Sequence, residues 1–176
     1  MEINNNISTE EEITNVAKSF TNGQFETRDY YFENPEKIFE LLAKWIEDGA
    51  LDCPEKLIEV LSNFFFGQIL NGIDTSEMRW LNNIFSRFSI EILEKLHQIA
   101  QENRSKEVER DSQRPERRFL DNKAQIAVKL EEILEDCLSI KQGNPTERVQ
   151  RLWRRRKEEE EYYEQCIAGT SKDWYF

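Results

Sequence analysis

Apolar residues recur at helical spacing along most of the chain. Ile13, Val16, Ala17 and Phe20 stand at i, i+3, i+4 and i+7, and Ser8 and Thr9 each precede a glutamate by three residues, the capping-box spacing. The pattern predicts a first helix from about Thr9 to Phe20. An aromatic loop ending at Tyr30, Tyr31 and Phe32 follows, and then Asn34 can cap and Pro35 can take the first helical position. Ile38, Leu41, Leu42, Trp45 and Ile46 form one face of that second helix, and Gly49 stops it.

The device is repeated at Asp52 to Pro54, with Leu57, Ile58, Leu61, Phe64 and Phe65 as the buried stripe. PEKIFELL from Pro35 aligns with PEKLIEVL from Pro54. The offset of 19 residues fits a helical repeat, but without a third copy two similar amphipathic helices are the simpler reading. Asp74 and Glu77 open a further helix carrying Met78, Leu81, Ile84, Phe85 and Phe88, and Ser89 caps one with Leu93, Leu96, Ile99 and Ala100.

Phe119, Ile126 and Ile133, and Leu120, Ala127 and Leu134, repeat every seven residues with Leu130, Cys137 and Leu138 between them. Gly143, Asn144 and Pro145 make a turn, and the last helix runs towards Gly169 with Val149, Leu152, Trp153, Tyr163, Cys166 and Ile167 on one arc. A short connection predicts that these final helices pair antiparallel. No segment alternates as a strand would, so the expected fold is an all-α single-domain bundle of about seven helices. Residues 1–102 form an acidic helical core, 103–118 a charged linker or exposed helical extension, and 119–176 the C-terminal helix pair with an aromatic tail. Pro115 forbids continuous helix only around itself.

Charge sharpens this division. The chain of 176 residues carries a net charge of −11. Residues 1–100 hold 8 basic and 18 acidic side chains, a net −10, whereas 101–176 hold 16 and 17. The longest uncharged stretch, Val60 to Ile73, is shorter than the ~20 residues needed to span a bilayer. The N-terminus MEINNNISTEEE has neither a basic nor an apolar leader region, so a cytoplasmic address without membrane association is expected. Cys53, Cys137 and Cys166 match neither a disulfide framework nor a zinc spacing and read as reduced thiols.

Chemical signatures are missing from the sequence: there is no phosphate loop, nucleophile elbow, His-Glu-x-x-His or Cys-x-x-Cys. His97 reads as a histidine at the edge of a buried stripe, and Glu131, Glu132, Glu135 and Asp136 as a solvated acidic face. No enzyme activity, cofactor or metal is expected. The most informative segment is RVQRLWRRRKEEEE from Arg148, in which six of ten residues are basic and four glutamates follow. Arg154–Glu158, Arg155–Glu159, Arg156–Glu160 and Lys157–Glu161 all have i, i+4 spacing.

Arg148, Arg151 and Arg155 share a stripe about 60° wide on a helix. Arg, Trp and Tyr are the usual anchors of protein interfaces, so Arg148, Arg151, Trp153, Arg155, Trp174 and Phe176 are the expected partner-binding residues of a non-catalytic adaptor or accessory subunit. Two alternatives stand beside that reading. Arg114, Arg117, Arg118, Arg148, Arg151 and Arg155 could follow a nucleic-acid backbone, or the acidic N-terminal part could mimic nucleic acid and occupy a basic site on a target.

Overall fold

In the computed structural model, which describes residues 7–69, 75–114 and 120–172, the apolar faces close on one another as helices. In order they are α1 (Thr9–Ser19), α2 (Phe25–Glu33), α3 (Pro35–Glu47), α4 (Pro54–Ile69), α5 (Thr75–Phe85), α6 (Ile90–Ser112), α7 (Asn122–Lys141) and α8 (Glu147–Lys172). The fold is all-α. A 3-10 turn over Ala50–Asp52 joins α3 to α4. It is entered at Gly49, whose φ of 106° is the left-handed conformation in which a β-carbon is strained.

Helix starts follow local chemistry. The Ser8 hydroxyl accepts from the Glu11 amide, the Ser89 hydroxyl from that of Ile92, and the Asp121 carboxylate from that of Ala124. Asn34 behaves otherwise than its sequence position implies. Its side chain makes no cap for α3 and instead donates to the Tyr30 carbonyl at 2.7 Å, closing the helix before it.

That preceding helix, α2, replaces the expected aromatic loop. It has no apolar stripe and no buried residue, so periodicity could not reveal it. Tertiary contact holds it: Phe32 stacks on Trp80 with ring centroids 5.4 Å apart, and the Trp80 indole N–H donates to the Tyr31 carbonyl. Trp80 also meets Phe20 and Phe64, so one α5 side chain gathers α1, α2 and α4.

One contiguous core runs through the bundle. α1 packs on α3 and α4, α3 on α5, and α4 and α5 on α7. Ile38, Leu42 and Trp45 of α3 are buried, as are Leu57, Leu61 and Phe64, their counterparts in α4. Lys37–Glu40 and Lys56–Glu59 repeat as ion pairs in the same register. From Ile126 to Cys137 the heptad pattern is the central face of α7, where Leu130, Ile133 and Leu134 are fully enclosed, whereas Leu120 lies before the helix and is exposed and Phe119 lies outside the described residues.

The antiparallel partner of α7 along most of its length is α6, which continues as helix through the charged stretch to Ser112. Fixed pairs link the two: Gln142 to Glu94, His97 and Arg104 to Glu131, and Arg110 to Asp121. α8 returns against α7 through its first turn, by Arg148 and Val149. Among the described residues no helix is long and apolar enough to cross a membrane.

Asp121 ties the α7 start to α6. The Ala124 amide, with help from Arg110 and against the cost of burial, holds its carboxyl below the ordinary value. A lowered value stabilises the fold above the unfolded-state pKa of about 3.9, and that stabilisation is lost as pH falls through the folded-state value. We expect Asp121→Ala to lower the urea-unfolding free energy by about 1–2 kcal/mol at neutral pH and by progressively less below about pH 4. A difference between the two proteins that does not shrink on acidification would refute this.

Candidate interaction surface

Asp136 determines how α8 leaves the bundle. It lies on the buried side of α7, 5% exposed, and a lone carboxylate there would be costly. Three donors meet it. Arg148 Nε and Nη2 reach Oδ2 and Oδ1 at 3.0 and 2.7 Å, and the Thr146 hydroxyl reaches Oδ1 at 3.0 Å. Thr146 accepts in turn from the Val149 amide and so starts the helix. Arg148 Nη2 also touches Glu135 and the Glu132 carbonyl. Burial works against the Arg148 charge, but Asp136 and Glu135 outweigh it and hold the guanidinium above its ordinary value.

Arg148 is therefore a clasp between α7 and α8, and the exposed stripe proper begins at Arg151. The acidic run of α7 is not the solvated face its sequence implies. Asp136 and Glu131 are each 5% exposed, whereas Glu132 and Glu135 are only partly covered. Sequence spacing missed this because the matching cations lie on other helices.

Glu131 accepts from Arg104 at 2.6 Å and lies 3.2 Å from His97, which sits at the rim of the α6–α7 contact. Glu107, also buried, pairs with Arg110 at 2.7 Å and Lys123 at 3.4 Å. These partners are 27 or 34 residues from Glu131 and 16 from Glu107 in the case of Lys123, so no local motif announces them. Among the described residues no three His, Cys, Asp or Glu side chains converge as a metal would require.

From Gln150 to Glu164 α8 is uncovered: every residue of that stretch is exposed. Leu152 is 40%, Trp153 47%, Tyr162 65% and Tyr163 66% exposed, high for such apolar bodies on one helix. Arg155 Nε lies 3.2 Å from Glu159 and Lys157 Nζ 3.8 Å from Glu161. Arg151 and Arg155 stand in solvent, as does Arg114 at the far end of α6. Arg117, Arg118, Trp174 and Phe176 lie outside the described residues.

At the foot of α8, Leu152, Trp153 and Arg156 face Asn82 and Ser86 of the α5 end and Ile140 and Lys141 of α7 across an open groove of about 380 Å³. Cys137 lines it. Burial pushes the thiol up to about 12, and Sγ lies 3.4 Å from the Asn82 side-chain oxygen, so it is a neutral packing group.

Comparison with protein-family models, with curated proteins and with solved structures finds no match to this chain. The geometry itself makes a prediction. Removing Arg148 leaves Asp136 buried without its cation, so Arg148→Ala is expected to cost about 2–3 kcal/mol in chemical unfolding. Arg151→Ala should stay within about 0.5 kcal/mol of the parent. Equal effects would mean that Arg148 is no more engaged than its neighbour.

Proposed function

We propose that this chain acts without chemistry of its own, as an adaptor or accessory subunit of a larger protein or ribonucleoprotein assembly, with α8 as its contact surface. The observation that carries the reading is the exposure of Leu152 and Trp153 among arginines, and of Tyr162 and Tyr163 among glutamates, on a stretch of α8, Gln150 to Glu164, that no neighbour covers. Burying one such side chain contributes roughly 1.5–3 kcal/mol, which a partner could use and solvent cannot. Arg151 and Arg155 supply forked donors beside the aromatic rings, the combination that dominates protein interfaces. Trp174 and Phe176 follow α8 in sequence and extend the apolar supply.

Two features favour protein over nucleic acid as the partner. Arg148 is committed to Asp136, and Glu158 to Glu161 adjoin the remaining basic residues, which weakens the field a phosphate backbone would meet. The acidic N-terminal part suits a protein neighbour or, in the mimic reading, a basic nucleic-acid site. The chain's expected place is the cytoplasm.

The double change Arg151→Glu with Arg155→Glu is expected to leave helical content by circular dichroism intact and to abolish capture of partners in affinity purification from the native cells at roughly 0.1 M salt. Partners retained by the variant would overturn the assignment of this surface. Nuclease treatment separates the alternatives: partners that vanish with the nucleic acid would transfer the site to a phosphate backbone. Competition by DNA or RNA for a captured protein would favour mimicry.

A further inference from the structure

The charges of α8 are ordered against the helix that carries them. Arg148 to Lys157 place six cations in the N-terminal half of α8, and Glu158 to Glu161 and Glu164 follow them. Each of the four cations Arg154 to Lys157 also precedes its i+4 glutamate, the weaker orientation for an intrahelical pair. Lacing of a solitary helix would be better served by the reverse order.

Read from both ends, however, the segment Arg151 to Glu164 is complementary to itself. About a centre between Lys157 and Glu158, Lys157 mirrors Glu158, Arg156 mirrors Glu159, Arg155 mirrors Glu160, Arg154 mirrors Glu161 and Arg151 mirrors Glu164. The two interruptions match as well, Trp153 with Tyr162 and Leu152 with Tyr163. Every cation thus has an anion at its mirror position, and every exposed apolar residue has another.

We infer that α8 is one half of an antiparallel helix pair formed with a second copy of this chain, its twofold axis passing between Lys157 and Glu158. A twofold interface places the same patch on both copies, which is the self-complementarity found here. The inference rests on the reading of α8 as a contact surface and names its occupant.

Helical geometry gives the pair a seam. Leu152, Arg156, Glu159 and Tyr163 fall within about 60° on the helix, at the a and d spacing of a coiled coil. Antiparallel packing then sets Leu152 against Tyr163 of the second copy and Arg156 against Glu159 of the second copy, in both directions. Trp153 and Glu160 flank the seam on one side, Arg155 and Tyr162 on the other. The open groove beside Leu152 and Arg156 leaves room at the foot of α8 for the facing tyrosine. Parallel pairing would instead stack cation on cation and glutamate on glutamate along the whole segment, so charge selects the antiparallel arrangement.

The contact covers two heptads, so the expected dimer is in the micromolar range and weakens as salt is raised from about 0.1 to 1 M. Sedimentation equilibrium on the purified full chain tests it. At about 100 µM and low salt the parent should sediment at twice the 21.1 kDa of one chain. Arg156→Glu, and separately Glu159→Arg, should each weaken dimerisation at least ~100-fold, because each turns both Arg156–Glu159 contacts across the axis into like-charge pairs.

An equimolar mixture of the two variants should recover a one-to-one dimer, since each altered pair then faces its opposite. Circular dichroism of each variant confirms that the exposed substitutions leave the fold unchanged. A parent that is monomeric at 100 µM, or a dimer indifferent to both variants, would overturn the proposal. Loss in each variant without recovery on mixing would overturn the antiparallel register. In all these cases the adaptor reading stands or falls by partner capture, measured separately.

Discussion

A carboxylate withdrawn from water is costly unless matched by a cation or by donors, and this bundle withdraws several along one helix pair, with Asp111 Oδ1 alone among them finding no partner among the described residues. Glu107 of α6 and Glu131 and Asp136 of α7 are buried, and each is met by at least one basic side chain from another turn or another helix. These pairings fix how the elements sit. Arg104 and His97 on Glu131 set the alignment of α6 on α7, Arg110 between Glu107 and Asp121 binds the far end of that pair, and Arg148 on Asp136 directs α8. Ion pairs of this kind add little net stability compared with apolar packing, but breaking one is costly. They set which residues of α6 and α8 lie beside which residues of α7.

The apolar framework was legible because it depends on local periodicity. The stripes of α1, α3, α4, α6 and α7 are the buried faces, and Ser8, Ser89 and the Pro35 and Pro54 starts lie where capping chemistry puts them. α2 was not legible, since Phe25 and Tyr30 point to solvent and the helix is held through Phe32 on Trp80, which lies 48 positions further along the chain. Gln101 to Ser112 could be read either as coil or as helix. Its burial of Glu107, which pairs with Lys123 of α7, decides for helix, and that depends on a residue after the charged stretch.

The candidate surface was legible in composition and only partly in role. A run of arginines looks alike whether it is free or clasped, and what distinguishes Arg148 from Arg151 is a buried aspartate 12 residues upstream. The same long-range pairing hides in the acidic run of α7, where Glu131 and Asp136 point inward while Glu132 and Glu135, one position away, keep contact with water. On a helix adjacent residues differ by about 100° in direction, so a cluster of acids cannot share one environment. Sequence spacing identifies the cluster, but only the neighbouring helices separate its members.

Anchor and surface occupy successive turns of α8, and this arrangement divides stability from recognition. Thr146, Arg148 and Val149 belong to the bundle, and beyond them the helix has little tertiary support. An unsupported helix in water is marginal, and its cation-before-glutamate pairs support it less than the reverse order would. A partner that brings glutamates to those cations and cations to those glutamates removes this penalty along with the exposure of Trp153 and the tyrosines. The charge order that weakens α8 alone is therefore the order that strengthens it when a helix of opposite pattern lies against it. With Asp136 fixing the direction of departure, such contact costs the bundle no rearrangement of its core.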